Sequence, residues 1–187
     1  MNRFHRWFCR SAIWKKGLSR TILPWALDGV KPGQNILEIG PGPGLTTDLL
    51  RSRFERVTSI EIDPMLADSL KQRLEGTNVT VVEGDATAMP FAEGSFSGAV
   101  SFTMLHHVPS PALQDQLFAE TYRVLRPGGM FVGTDSTWSR AFQLIHLWDT
   151  MVLVDPGTLG SRLESVGFRD VSIKVAKGIF RFRARRV

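Results

Sequence analysis

A chain of 187 residues with 43% hydrophobic and 22% charged side chains has the balance of one folded domain of ordinary size, which excludes a disordered polymer. Its apolar runs, of which residues 22–27 are among the longest, fall far short of the roughly 20 residues that span a bilayer. The basic N-terminus has no long apolar stretch behind it of the kind a secretory signal needs. The single cysteine, Cys9, excludes an internal disulfide and a multi-cysteine metal cluster, so a cytoplasmic protein with no metal site is the plain reading.

The net charge of +5 is unevenly spread. Residues 1–27 hold Arg3, Arg6, Arg10, Lys15, Lys16 and Arg20 and no acid, and the stretch after Asp170 holds Lys174, Lys177, Arg181, Arg183, Arg185 and Arg186, again with no acid. The middle of the chain is therefore net acidic, and the two ends are basic. A basic end suits nucleic acid, an anionic membrane or a solvated edge, and the last is the commonest.

In chain order, residues 1–30 read as an N-terminal helical extension and 31–187 as one domain. From about residue 34 to 135 strand and helix patterns alternate, the signature of a parallel sheet with crossover helices. Residues 35–39 form a short apolar strand ending in glycine, and 46–54 a helix. Residues 56–62 form the second strand. Asp63 then caps a helix with Pro64 at its first position and Gly76 at its end, and Leu66, Leu70 and Leu74 give it one apolar face. Residues 79–82 and 98–102 are the third and fourth strands, 111–125 a helix stopped by Pro127-Gly128-Gly129, and 130–134 the fifth strand. Residues 138–153, with Trp138, Phe142, Trp148 and Met151, read as a helix buried on several sides or covering something. A shorter helix over 159–166 precedes two strands, 171–175 and 179–185, joined by a hairpin at Lys177-Gly178. In the last of them Phe180, Phe182 and Ala184 share one face and Arg181, Arg183 and Arg185 the other.

The turn Gly40-Pro41-Gly42-Pro43-Gly44 lies between a strand and a helix, where glycines let the backbone approach a ligand closely. Ligands of open α/β sheets bind at the carboxyl ends of strands. The dinucleotide pattern G-x-G-x-x-G fails here, because position 45 is Leu. Glu61 ends the second strand, 19 residues after Gly42, where a carboxylate accepts from both hydroxyls of a ribose. Asp85 ends the third strand, where an acceptor meets an exocyclic adenine amine, although an Asx-turn is its bland alternative.

In order and spacing, residues 36–44, 59–64, 83–91, 96–108 and 123–132 resemble the motifs of class I methyltransferases, nearest the subgroup of ubiquinone and menaquinone biosynthesis enzymes; the resemblance covers roughly 30–175. It implies a Rossmann-like, doubly wound α/β fold with a seven-stranded, mostly parallel sheet, an antiparallel last strand and the order 3-2-1-4-5-7-6. It implies S-adenosyl-L-methionine as cofactor. By resemblance Gly40 and Gly42 pass the methionine part close to backbone, and Glu38 orients its ammonium group. Glu61 holds the ribose, Ile62 packs on the adenine, Asp85 accepts from its amine, the Ala86 amide donates to the ring, and Phe102 sits near the reacting end.

A sulfonium methyl is already activated, so the protein must mainly align the acceptor; a general base is needed only where a proton must leave. The candidates for that role are His106 and His107, just past the fourth strand, with substrate shaping as the alternative. His5 and His146 read as surface or packing residues. No metal-ligand cluster stands out. After the fourth strand the chain reads Ser101-Phe102-Thr103-Met104, without the Asn/Asp-Pro-Pro-aromatic motif of enzymes that methylate nucleic-acid amines, and Cys9 is remote from that strand. A small-molecule acceptor is favoured over nucleic acid. An RNA-modifying enzyme using the basic ends and a non-catalytic cofactor-binding protein are the alternatives. The aromatic, basic N-terminus suits a helix on an anionic membrane or a segment folded over the cofactor, and the second is preferred.

Overall fold

The computed structural model describes residues 11–139, 143–144 and 150–187. Its strands are β1 (Asn35–Ile39), β2 (Arg56–Glu61), β3 (Val79–Glu83), β4 (Phe96–Phe102), β5 (Leu125–Ser136), β6 (Arg169–Ala176) and β7 (Ile179–Arg185). They form one sheet in the order β3-β2-β1-β4-β5-β7-β6. The first five neighbours run parallel, and β7 is antiparallel to both β5 and β6, the arrangement expected from the sequence. The flanking helices are α1 (Ala12–Gly17), α2 (Leu23–Leu27), α3 (Leu45–Leu50), α4 (Pro64–Leu74), α5 (Pro111–Val124) and α6 (Pro156–Ser165).

The central strands carry continuous apolar runs because helices cover both sheet faces; every residue of β4 is buried. On one face Leu37, Ala99, Phe131 and Phe182 pack with Leu117 and Phe118 of α5 and Leu159 and Leu163 of α6. On the other, Ile36, Val57, Val100 and Phe102 pack with Leu50 of α3 and with Leu23 and Ala26 of α2. The N-terminal segment thus contributes to the core. Ser11 caps it by accepting from the Trp14 N–H at 3.1 Å. A π-helical turn, Leu18–Ile22, joins α1 to α2, with the Leu23 N–H donating to the Leu18 carbonyl. Pro24 explains the wider turn: it has no N–H to return to the preceding helical turn.

Three cations of the basic C-terminus are engaged by the fold, Arg181 and Arg186 largely buried and Arg185 at the surface. Arg181 donates to the Trp25 carbonyl and lies 5.2 Å from the Trp25 ring, bolting α2 to β7. Arg185 pairs with Asp170 at 2.9 Å, and Arg186 with Glu93 at 2.5 Å as well as with the carbonyls of Tyr122, Arg123 and Leu125.

Several boundaries differ from the sequence reading. The expected turn at Pro127-Gly128-Gly129 lies inside β5, because Gly128 and Gly129 exchange backbone bonds with Arg186 at 2.7 and 2.8 Å and the register shift against β4 absorbs the extra residues. The helix expected over 46–54 ends at Leu50. The one expected over 159–166 starts earlier, at Pro156, with Asp155 as its cap. Of the helix expected over 138–153, Phe142, His146 and Trp148 lie outside the described residues. Thr150–Leu153 is irregular chain, tied by the Val152 N–H to the His106 carbonyl at 2.8 Å.

Candidate functional site

The carboxyl ends of β1, β2, β3 and β4 open on a cleft with two lobes, of about 340 Å³ and about 80 Å³. Gly40, Gly42, Met104 and His107 line both lobes. Glu61, Ile62, Asp85 and Ala86 line the larger one, and Phe102, Trp14 and Leu18 the smaller.

The glycine turn is left-handed at Gly40, Gly42 and Gly44, with φ of 66°, 55° and 85°. At Gly40 the requirement is double, since a Cβ there would also overlap the Met104 side chain. The turn is held from below by two carboxylates. Glu38, 1% exposed, accepts from Thr46 at 2.5 Å on one oxygen and from Thr47 and Ser59, both at 2.7 Å, on the other. Three of its roughly four acceptor positions are thereby occupied by hydroxyls of α3 and β2. Burial lifts its carboxyl above the ordinary range against those hydrogen bonds, and the nearby Glu61 charge adds to the rise.

Glu61 ties two backbone segments together: one oxygen accepts from the Gly42 N–H at 2.9 Å, the other from the Asp63 N–H at 3.0 Å. Each oxygen retains a lone pair for a hydroxyl from the cavity. Burial raises this carboxyl too, outweighing the backbone N–H groups of Asp63, Gly42 and Ile62, and the Asp63 charge adds to the rise. A diol donating to Glu61 favours the ionised form, so its binding releases a proton. Affinity for a ribose-bearing ligand should therefore climb as pH rises toward the raised value of the unliganded protein, then level off above it. For stability the sign is opposite: the native state holds this proton more tightly than the unfolded chain, and the associated stability is lost as pH rises from the ordinary value of 4.5 through the raised one. Calorimetry in buffers of different ionisation enthalpy checks the binding half; proton uptake or a flat affinity in that window would place the diol elsewhere.

The opposite wall carries Ile62, 67% exposed at the cleft, with Asp85 and Ala86. Asp85 Oδ1 accepts from the Thr87 N–H and hydroxyl at 2.8 and 2.9 Å, so the Asx-turn is formed and Oδ2 is the oxygen left for a ligand. This loop is pinned to α5: Glu120 accepts from the Met89 N–H, and Arg123 donates to the carbonyls of Met89 and Phe91 and to Glu120. Asp63 is the cap of α4, accepting from Met65 and Leu66.

The two histidines, equivalent in the sequence reading, are separated by the structure. A 3₁₀ turn, Leu105–His107, follows β4. His107 lines both lobes, with Nδ1 3.3 Å from the Thr150 carbonyl. His106 lines neither and is 1% exposed, its Nδ1 2.5 Å from Asp135 Oδ1. Of the two candidates for a base, the structure thus brings His107 to the cleft wall and leaves His106 buried against Asp135. Thr103, just before this turn, is a non-glycine residue at φ 50°, the kind of backbone strain that clusters at functional sites. Asp135, Met104 and Leu18 were missed in the sequence. An Asp ending the otherwise apolar strand Phe131-Val132-Gly133-Thr134 was a usable signal, whereas nothing in the spacing marked Met104 or Leu18. Among the described residues no group of three or more His, Cys, Asp or Glu is placed to hold a metal, and no helix is long and apolar enough to cross a membrane.

The sequence profile of the methyltransferase domain family matches residues 37–133. The chain is 45% identical over 64 residues to ribosomal RNA small subunit methyltransferase A of Deinococcus radiodurans, covering 34% of this chain and 22% of that protein. It is 34% identical over 119 residues to 24-methylenesterol C-methyltransferase 2 of Arabidopsis thaliana, covering 61% and 32%. The chain thus spans a third or less of the length of these relatives. Among solved structures it superposes on an S-adenosylmethionine-dependent methyltransferase of Thermotoga maritima with a TM-score of 0.74 over the whole of both chains, at 17% identity.

Proposed function

The chain belongs to the methyltransferase domain family, whose cofactor is S-adenosylmethionine, and from that premise we propose that it transfers the methyl group of that cofactor to a small-molecule acceptor. The observation that carries the reading is Glu61, buried at the head of the cleft, clamping the glycine turn while keeping one acceptor position on each oxygen. The residues fit the cofactor: a diol acceptor, an exposed isoleucine face for a purine, Asp85 beside it, and glycine backbone leading into the smaller lobe. Glu38, buried and lining neither lobe, acts by holding Thr46, Thr47 and Ser59 behind the turn and not by touching the ammonium group itself.

The sulfonium supplies an activated methyl group, so orientation does most of the catalytic work, on the order of 7–11 kcal/mol. Phe102, Met104 and His107 border the smaller lobe, where the acceptor approaches. His107 is the side chain placed to take a proton there. With Nδ1 turned to the Thr150 carbonyl, Nε2 is the nitrogen that accepts it.

A small acceptor is supported by the sequence Ser101-Phe102-Thr103-Met104 at the end of β4 and by the engagement of Arg181, Arg185 and Arg186 in the fold. Within the family we place the chain nearest the quinone-biosynthesis-like subgroup on motif order over 36–132, which favours an apolar, ring-bearing acceptor. Incubation with the tritiated-methyl cofactor and a panel of small acceptors tests this. The RNA reading is kept because ribosomal RNA methyltransferases are among the relatives; it requires methyl incorporation into RNA and steeply salt-dependent RNA binding.

We also propose that residues 1–30 act as an extension closing the smaller lobe, on the contact of Trp14 and Leu18 with it. Trp14→Ala should weaken cofactor binding several-fold without unfolding the protein, and removal of residues 1–20 should weaken it further. Liposome association of the intact protein should stay slight. Salt-sensitive binding to anionic liposomes, lost on truncation with cofactor affinity intact, would instead make the segment a membrane helix.

A further inference from the structure

Asp135, next to the last residue of β5, has no exposed surface and lines neither lobe of the cleft. A carboxylate in that position is costly unless its oxygens are satisfied. Here one oxygen accepts from the Ser136 N–H at 2.6 Å and meets His106 Nδ1 at 2.5 Å, and the other accepts from the His106 N–H at 3.0 Å. Both backbone donors are fixed, so the carboxylate must accept on both oxygens, and His106 must present Nδ1–H to it. The turn Leu105–His107 is held from its other side as well. The His106 carbonyl accepts from Val152, and Gln114 donates to the carbonyls of Val152 and Leu105 at 2.8 and 3.3 Å. Arg162 in turn donates to Gln114 at 3.0 Å. This buried polar layer supports Met104 and His107, which line both lobes, and the His107 ring lies 4.2 Å from the His106 ring.

We propose that Asp135 is a positioning residue: acting through His106, it fixes the turn Leu105–His107 and with it the place of the His107 ring in the cleft. It touches neither cofactor nor acceptor in this role. The layer is specific to a carboxylate. In Asp135→Asn the amide NH₂ must face a fixed donor on one side or the other. The arrangement that spares the His106 N–H places it against His106 Nδ1, which switches that ring to the Nε2–H form.

The test is histidine-ring NMR on the whole chain, with S-adenosylhomocysteine as the cleft probe. The wild type should show His106 as the Nδ1–H form, and the probe should shift the His107 ring signals and leave those of His106 nearly still. Asp135→Asn should convert His106 to Nε2–H and reduce the His107 response at least twofold. Its affinity for the probe should stay within about threefold, since Glu61 and the glycine turn are untouched. His106→Asn, whose amide nitrogen replaces Nδ1 as donor, should restore the response that His106→Leu loses; this pair decides the matter if Asp135→Asn does not fold. A wild-type His106 in the Nε2–H form, or a His107 response unchanged in Asp135→Asn or in His106→Leu, overturns the proposal. The inference rests on the cofactor reading only through its probe: absence of any binding by the wild type would defeat that reading, and the ring form of His106 would still judge Asp135.

Discussion

Glu61→Gln should lower affinity for S-adenosylmethionine and its demethylated product by at least about tenfold. Glutamine keeps the size of the side chain but turns one acceptor oxygen into a donor. Both carboxylate oxygens face backbone N–H groups, of Gly42 and Asp63, so the NH₂ must oppose one of them and loosen either the glycine turn or the entry to α4. A ribose hydroxyl is lost on the same side. Hydrogen bonds to a charged group contribute about 1.5–3 kcal/mol each, and tenfold corresponds to the lower end for a single bond. Calorimetry on a variant shown to be folded reads the effect directly. An unchanged dissociation constant would mean that the carboxylate serves the turn alone.

Gly40→Ala should be as severe for binding and worse for the fold. A non-glycine residue at φ 66° costs about 1–2 kcal/mol from backbone sterics alone, and the added methyl overlaps the Met104 side chain. Met104 must then move into the cleft it lines. For a chain of this size each kcal/mol lowers Tm by about 2–4 °C. The control is Gly178→Ala in the β6–β7 hairpin, at φ 79° with nothing near its Cβ. It should show the strain without any loss of cofactor affinity. Equal affinities in the two variants would remove Gly40 from the binding surface.

The parts of this protein that were legible in its sequence are those written by local rules. Asp63-Pro64 before Leu66, Leu70 and Leu74 specifies a capped amphipathic helix, and the cap and all three buried leucines are found. The order of strands followed from the family resemblance, with the terminal hairpin as local support. Sequence brought Gly40, Gly42, Glu61, Ile62, Asp85 and Ala86 to one place because they stand at strand ends, and the structure has all six lining one cleft. What was not legible depends on distant pairs. His106 and His107 are adjacent and chemically identical. What separates them is distant in sequence: Asp135, 29 residues on, meets the buried His106, while His107 meets the Thr150 carbonyl. Likewise Arg126-Pro127-Gly128-Gly129 has the composition of a turn, and its extended form depends on Arg186 at the far end of the chain. The basic C-terminus read as a charged edge, because sequence cannot show that Arg181, Arg185 and Arg186 meet Trp25, Asp170 and Glu93. The Asp155-Pro156 start of α6 repeats the Asp63-Pro64 signal and was readable; the apolar spacing from Leu159 onward drew the boundary too late.

The cleft between the glycine turn and Asp85 is the proposed seat of S-adenosylmethionine. The direct measurement is calorimetric titration of the purified chain with S-adenosylhomocysteine and, separately, with NAD. Leu45 stands where the dinucleotide pattern needs its third glycine, and Glu61 offers its acceptors to a single ribose. The expected result is one site per chain for S-adenosylhomocysteine, weakened by Glu61→Gln, and no heat with NAD. Tight binding of NAD with no response to S-adenosylhomocysteine or its methylated parent would make the cleft a dinucleotide site instead.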